Sequence, residues 1–439
     1  MISMKDTFEK TQLKQVETEN SEVFQLVECI GEGGQGTVFS TQRKNLLVKL
    51  SIAKEGDEKI IKAKYRRYKS LRGRRDLPSY LAKPLAEIKP VTTNGLIVYG
   101  YVMELMEDMV SLHSVFRKNG EEPTAYIKRM GGIKRMYVIL RKIAEILDGI
   151  HSIGYVYGDL NPNNVFISNA PAYSEVQLID CDNLMIAADY DGFIYYPGYG
   201  APEILKGLCK NNVLTDSWSY AILSFITLRQ AKPFFGKMIM EAGTMELSQL
   251  ERKAEAGEFP FIDEDENNVA NYALPKDVME SPALQQLFLR TFGKDSSPNT
   301  RPTLQEWIDT FLKWENQFVK CANPKCSSVY LKYKGVGACP FCDKKGIEPF
   351  VVCHKMVLHE QACIPFDNRI IACESPVHLE LPISEYKMIQ LELSLNATSK
   401  KVYLKQLSEK DATIEWSIKG IGKGKKIIRR FQVVNATQP

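Results

Sequence analysis

No apolar run in this chain approaches the ~18 residues that a membrane-spanning helix requires, so we expect no membrane span. The first stretch, Met1 to Glu19, is polar and mixed in charge and lacks the apolar core of a signal peptide. No prenylation box closes the sequence, and together these absences lead us to expect a cytoplasmic protein. Charge of one sign is scarce as well. A formal net charge of +4 over 439 residues is too weak a field to gather nucleic acid by itself. No internal repeat or low-complexity tract is present, which excludes solenoid and linker architectures. Cysteine is sparse over the first 300 residues, with three of the ten; the other seven fall between Cys321 and Cys373. Four of those seven form two close pairs. Without a secretion signal, clustered pairs point to metal rather than to disulfides.

What remains is ordinary globular material, with 44% apolar and 25% charged residues, enough for a large packed core. Composition divides it. Residues 1–20 read as a flexible polar lead. Residues 21–106 are strand-rich around a Gly-rich turn, and 107–318 are mostly helical, with periodic runs at Met136–Ile150 and Ser217–Leu228. Residues 319–346 are rich in Cys, Lys and Gly. Residues 347–439 return to short alternating segments, His378–Leu381, Ile389–Leu395 and Ile427–Val434, which predict a small β domain of unknown role.

Three segments carry chemistry. Gly31-Glu32-Gly33-Gly34-Gln35-Gly36-Thr37-Val38 lies between two apolar strands. Glycines let a backbone bend tightly and bring its N–H groups to phosphate oxygens, although a Gly-rich hairpin is more often only a turn. A strand, not a helix, follows, which disfavours a dinucleotide fold. Lys49 sits inside the apolar strand Leu46–Leu50, where its ammonium needs a partner or must reach water. The third segment is Tyr157-Gly158-Asp159-Leu160-Asn161-Pro162-Asn163-Asn164-Val165, followed by Gln177-Leu178-Ile179-Asp180-Cys181-Asp182. Asp159 can accept or orient a hydroxyl proton, while Asn164 and Asp180 offer hard oxygen ligands to Mg²⁺. Each piece alone is a turn rich in Asn, Asp and Pro. Their order and spacing together are not.

That order, a Gly-rich loop, a strand lysine, Asp-x-x-x-x-Asn, a strand-ending Asp and then Ala201-Pro202-Glu203, resembles the eukaryotic-like protein kinase family. The finer departures resemble a bacterial branch of stand-alone kinases that carry a zinc ribbon. The resemblance implies an α+β, bilobal fold with ATP in the cleft and transfer of the γ-phosphoryl group to a protein hydroxyl. It implies that Gly31, Gly33 and Gly36 cover the phosphates and that Val38 packs on adenine. Glu104 and Met106, in Met103-Glu104-Leu105-Met106, would present the hinge backbone. Lys49 would hold the α- and β-phosphates, Asp159 the acceptor hydroxyl, and Asn164 and Asp180 the Mg²⁺. Asn161 occupies the catalytic-loop position where many Ser/Thr kinases carry lysine. Arg301 matches the arginine that pairs with Glu203, and Asp216 the aspartate that opens the central helix.

The departures are specific. His-Arg-Asp is replaced by Tyr157-Gly158-Asp159, which removes the arginine that docks a phosphorylated loop. Between Asp180 and Ala201 there is no Ser or Thr, only Tyr190, Tyr195, Tyr196 and Tyr199, so we expect no activation there by Ser/Thr phosphorylation. Asp-Phe-Gly becomes Asp180-Cys181-Asp182. The glutamate that pairs with the strand lysine in the family has one candidate, Glu58, because Lys59–Arg75 holds nine Lys or Arg and no acid. This basic stretch is either a solvated helix face or a docking patch for an acidic partner.

Cys321-x4-Cys326 and Cys339-x2-Cys342 read as two knuckles of a structural Zn²⁺ site, with Cys353 and His354 as rival ligands. Two accounts of function stay open: a protein kinase, most simply Ser/Thr-directed, acting on a protein substrate, and a pseudokinase scaffold that binds ATP and signals through its tail.

Overall fold

The computed structural model describes residue 8 and residues 11–33, 36–186, 194–241, 249, 252–253 and 256–345, apart from 316, 327, 334 and 335. Beyond these it describes the backbone of the strands between Phe350 and Asn435, and it leaves out the side chains of Ile60 and Asp182. Two compact units divide the chain: Met1–Lys118, Lys142–Asn271 and Phe288–Gln305 form one, and Asn119–Arg141, Tyr272–Leu287 and Glu306–Pro439 the other.

The first unit holds a six-stranded antiparallel sheet of β1 (Gln15–Glu17), β2 (Val23–Gly33), β3 (Gly36–Thr41), β4 (Leu46–Lys54), β5 (Ala86–Thr93) and β6 (Leu96–Glu104). The spatial order is β1-β2-β3-β4-β6-β5. Period-two patterning divides the side chains between its faces. Phe24, Val48, Leu50, Ile88, Val98 and Val102 close one face. Leu47, Lys49, Tyr101 and Met103 alternate onto the other, under helix α1 (Glu58–Gly73). The helix buries Ile61, Tyr65, Tyr68 and Leu71, one stripe at helical spacing. Its opposite side exposes Lys59, Lys62 and Arg66.

The polar lead expected over residues 1–20 requires correction. Gln15–Glu17 pairs with Val23–Gln25, and Phe8 and Val16 enter the sheet's core. Two apolar side chains in an otherwise polar stretch are enough to dock it, because β2 offers an edge to pair with.

Among the other described helices are α2 (Pro123–Arg129), α3 (Ile133–Ser152), α4 (Pro202–Leu205), α5 (Val213–Arg229), α6 (Lys237–Met240), α7 (Lys276–Met279), α8 (Pro282–Phe292) and α9 (Leu304–Glu315). The runs at Met136–Ile150 and Ser217–Leu228 thus extend into α3 and α5. A full capping box starts α5: the Asn212 side chain accepts from Leu214 and Thr215 N–H, and Thr215 Oγ1 accepts from Asn212 N–H. From Thr215 to Phe225 every residue of α5 is buried, as befits a core helix apolar on most sides.

In the second unit, Tyr137 donates to the Met279 carbonyl and meets the rings of Phe311 and Phe318 edge-on. The hairpin β12 (Phe318–Lys320) and β13 (Val329–Leu331) follows, and Tyr333 donates to the Asp277 carbonyl at 2.9 Å. Beyond it the backbone forms a four-stranded and a three-stranded sheet between Phe350 and Asn435. The all-β character expected of the tail is present there.

Gly100 on β6 faces Leu50 across the β4 ladder, and a β-carbon there would overlap the Lys49 carbonyl oxygen. Nothing lies near a β-carbon built at Gly73, the last residue of α1. Gly→Ala ordinarily stabilises slightly through the unfolded chain. We expect Gly73→Ala to leave the unfolding midpoint unchanged or raised, and Gly100→Ala to cost about 1–3 kcal/mol, read as a drop of several degrees in a thermal melt.

Candidate active site

The site is built in the first unit from β4, the loop after β8 (Tyr155–Val156), and the residues that follow β10 (Val176–Leu178). Lys49 is 4% exposed, and its Nζ donates to Asp180 Oδ1 at 2.8 Å. The partner demanded by an ammonium inside an apolar strand is therefore Asp180. Asp180 stands at φ 58°, ψ 44°, a left-handed conformation that Asp tolerates better than most side chains, and it caps the 3₁₀ turn Cys181–Asn183.

Asp159 is held from three sides by amides. Asn164 Nδ2 donates to its Oδ2 at 3.1 Å and to its main-chain carbonyl at 3.0 Å. Asn161 Nδ2 donates to that same carbonyl at 2.9 Å, and Asn183 Nδ2 to Oδ2 at 3.1 Å. With both amide protons of Asn164 on Asp159, its Oδ1 remains for a cation.

The carboxyl of Asp159 is nevertheless pushed up to about 6 from 3.8. Burial is the largest cause, and the nearby charge of Asp180 adds to it, against the opposing amides and Lys49. Two carboxylates that repel one another beside a spare amide oxygen form a donor set that a divalent cation fits.

The loop itself is fixed from beneath. Buried Asp216 accepts from Tyr157 N–H at 2.7 Å and Gly158 N–H at 2.9 Å, and its Oδ2 lies 2.8 Å from His151 Nε2. Gly158 has φ +76°, and a β-carbon there would overlap Met185. An arginine there would be strained by that backbone conformation and would have to displace the Met185 methyl. Tyr157, in place of the family's histidine, donates to the Ile179 carbonyl and so ties the loop to the residue before Asp180. Further along, Arg301 makes a two-pronged ion pair with Glu203 at 2.9 and 3.2 Å, with its guanidinium stacked over Trp218.

Of the other expected residues, Gly31 and Gly33 end β2 and face Val38 and Gly36 of β3, while the turn at 34–35 lies outside the described residues. A β-carbon at Gly36 would lie 2.5 Å from the Leu50 carbonyl oxygen, so close strand packing alone requires glycine there. Val38 packs against the Leu47, Tyr101 and Met103 cluster, Glu104 ends β6 exposed, and Met106 is half-buried. Glu58 is not brought to Lys49. It is exposed at the first residue of α1 and accepts from Gly56 N–H. Asp182's side chain and Tyr190 lie outside the described residues; Tyr196 receives a bond from Asn163 Nδ2 at 3.2 Å. Sequence reasoning missed Asn183, which follows the metal-type aspartate by three residues and carries no motif of its own.

The cysteine module lies in the second unit. The four sulfurs of Cys321, Cys326, Cys339 and Cys342 all fall within 4.8 Å of one another. Cys321–Cys342 is 3.7 Å and Cys326–Cys339 3.8 Å, against about 3.8 Å for the edge of a tetrahedron with 2.3 Å zinc–sulfur bonds. Burial pushes the Cys321 thiol up and Cys339 up to about 12. The Asn323 amide draws Cys342 down to about 7, so the set mixes a ready thiolate with thiols that a bound cation would have to ionise. The side chains of Cys353 and His354 lie outside those described.

A sequence model of the family described as "Protein kinase domain" matches residues 24–312. The chain belongs to that family, with its sheet-rich N-lobe and helical C-lobe. Over 184 residues it is 24% identical to "Serine/threonine-protein kinase 17A" of Oryctolagus cuniculus, covering 37% of this chain and 46% of that protein. Over 164 residues it is 29% identical to "Calcium-dependent protein kinase 5" of Plasmodium falciparum, covering 36% and 27%. Over 221 residues it is 23% identical to "Protein kinase 2" of Dictyostelium discoideum, covering 49% and 42%. The chain thus matches less than half the length of each of these relatives. No helix among the described residues is long and apolar enough to cross a membrane.

Replacing Asp180 with Asn removes the like charge that raises Asp159. Carboxyl-carbon NMR of Asp-labelled protein is expected to follow Asp159 titrating near pH 6 in the wild type and distinctly lower in Asp180→Asn.

Proposed function

We propose that the chain is an ATP- and Mg²⁺-dependent protein kinase that phosphorylates protein hydroxyls, serine or threonine first. The observation that carries this reading is the convergence of Lys49, Asp159, Asn164 and Asp180 at one place, with Lys49 and Asp180 in direct contact. Bound Mg²⁺–ATP supplies the phosphoryl group and the cationic charge that eases its transfer. Asp180 and Asn164 Oδ1 would hold the cation, and Lys49 the α- and β-phosphates. The backbone at Gly31, Gly33 and Gly36 would cover the phosphates, with Val38 and the main chain of Glu104 and Met106 around adenine. Asp159 orients the acceptor hydroxyl and takes its proton, and Asn161 and Asn183 keep its carboxylate aimed. The Ser/Thr preference rests on the family resemblance and on the similarity to Serine/threonine-protein kinase 17A. A pseudokinase scaffold that only binds ATP would use Lys49, Asn164 and Asp180 but would not need Asp159 held beside them, and we do not adopt that reading.

The kinase domain is taken as residues 21–318, split at 106, followed by a zinc ribbon over 319–346 and a β domain over 347–439. Structural Zn²⁺ would be held by Cys321, Cys326, Cys339 and Cys342, and metal would supply much of this module's folding energy.

With labelled ATP and Mg²⁺, the wild type is expected to transfer phosphate to protein. Asp159→Ala should do so about 10²–10⁴-fold more slowly, with a melting temperature no lower than that of the wild type at neutral pH. Equal transfer by both would defeat the assignment. Elemental analysis should find one zinc per chain in the wild type and loss of it in Cys339→Ser; a metal-free, fully folded wild type would defeat the ribbon.

A further inference from the structure

After Glu58, helix α1 carries no acidic residue, so it cannot deliver the glutamate that the family's strand lysine pairs with. What it delivers to that face of the sheet is Tyr68. Tyr68 is 1% exposed, and its ring meets Tyr101 at 4.8 Å and 63°. Tyr101 stands opposite Lys49 in the β4–β6 register, and the Lys49 ammonium lies over the Tyr101 ring, 5.9 Å from its centre. The helix is pinned on both sides of Tyr68. Tyr65 donates to the Ile88 carbonyl, and Arg72 pairs with buried Glu87 at 2.7 Å.

We propose that Tyr68 and Tyr101 are positioning residues for Lys49, an aromatic brace that replaces the helix carboxylate. The proposal rests on the reading of Lys49 as the phosphate-holding residue. In the structure Asp180 holds the ammonium, but Asp180 is also the carboxylate best placed to take the metal. The Tyr101 ring under the ammonium gives it a contact that does not compete with a cation for Asp180. The negative face of an aromatic ring attracts an ammonium without forming an ion pair, and it leaves the N–H donors for phosphate oxygens. The edge-on contact from Tyr68 fixes the tilt of the Tyr101 ring and so couples α1 to Lys49. Glu87 stands directly opposite Tyr101 in the β5–β6 register; its Oε2 pairs with Arg72, and its buried Oε1 has no hydrogen-bond partner among the described residues.

The test replaces Tyr101 with phenylalanine and then with phenylalanines carrying one, two and three ring fluorines, which keep shape while draining the ring's negative face. The KM for ATP should rise stepwise, by about tenfold across the series, at constant melting temperature. Tyr68→Phe should stay within about threefold of wild type and Tyr68→Leu should raise KM about tenfold. A flat KM through the fluorine series overturns the brace, whatever the fate of the Leu variant. Lys49→Met is run alongside. If it uses ATP as well as the wild type, the phosphate-holding role itself falls; if it loses ATP while the fluorine series is flat, only the brace falls.

Discussion

One buried ion pair organises this cleft. Lys49 comes from a sheet strand and Asp180 lies two residues beyond the strand Val176–Leu178, 131 positions along the chain, and they meet at 2.8 Å. That carboxylate offsets much of the cost of placing a lysine in the middle of β4, because a buried ammonium needs compensating charge. The pair therefore fixes where the sheet stands relative to the loop that carries Asp159. Among the described side chains it leaves a site with the carboxylates of Asp159 and Asp180 and the ammonium of Lys49, a composition that fits an added cation and an added anion together.

The cost of that composition falls on Asp159. Its carboxyl sits at about 6 when folded against 3.8 as the reference. A carboxyl raised in this way binds extra protons in the folded state, so its contribution to stability declines as pH climbs from about 4 to about 6. Above that window the fold carries a penalty on the order of 2–3 kcal/mol. The structure bears it by over-determining the loop. Asp216 holds two successive backbone N–H groups, Tyr157 ties across to Ile179, and three asparagines aim at Asp159. Strain kept at a functional site and offset by its supports is what a site built for transfer, not for stability, looks like.

Much of this was legible in the residues. Lys49, Asp159, Asn164 and Asp180 are polar side chains in settings where polar groups need a reason, and their spacing supplied one. Arg301 with Glu203 was legible only through the family resemblance, whereas the four cysteines were legible from their paired spacing. The docking of Phe8 and Val16 was not legible, because two isolated apolar residues carry no periodicity. Nor were Asn183, Tyr68 and Tyr101. An asparagine in a turn and aromatics on a strand or a helix are equally well explained by local structure, and only the tertiary approach of α1 to β6 gives the tyrosines another meaning. Glu58 misled because sequence offers candidates by identity alone, whereas the helix phase turns that residue to solvent.

The central claim is that the Lys49–Asp180 contact holds the place of a magnesium-bound nucleotide. A double-mutant cycle by titration calorimetry tests it, comparing nucleotide affinity with and without Mg²⁺ in the wild type, Lys49→Met, Asp180→Asn and the double variant. We expect Mg²⁺ to tighten binding to the wild type, to lose that effect whenever Asp180 is replaced, and to show non-additive losses for the pair. Magnesium-independent affinity that is equal in all four proteins would contradict the account.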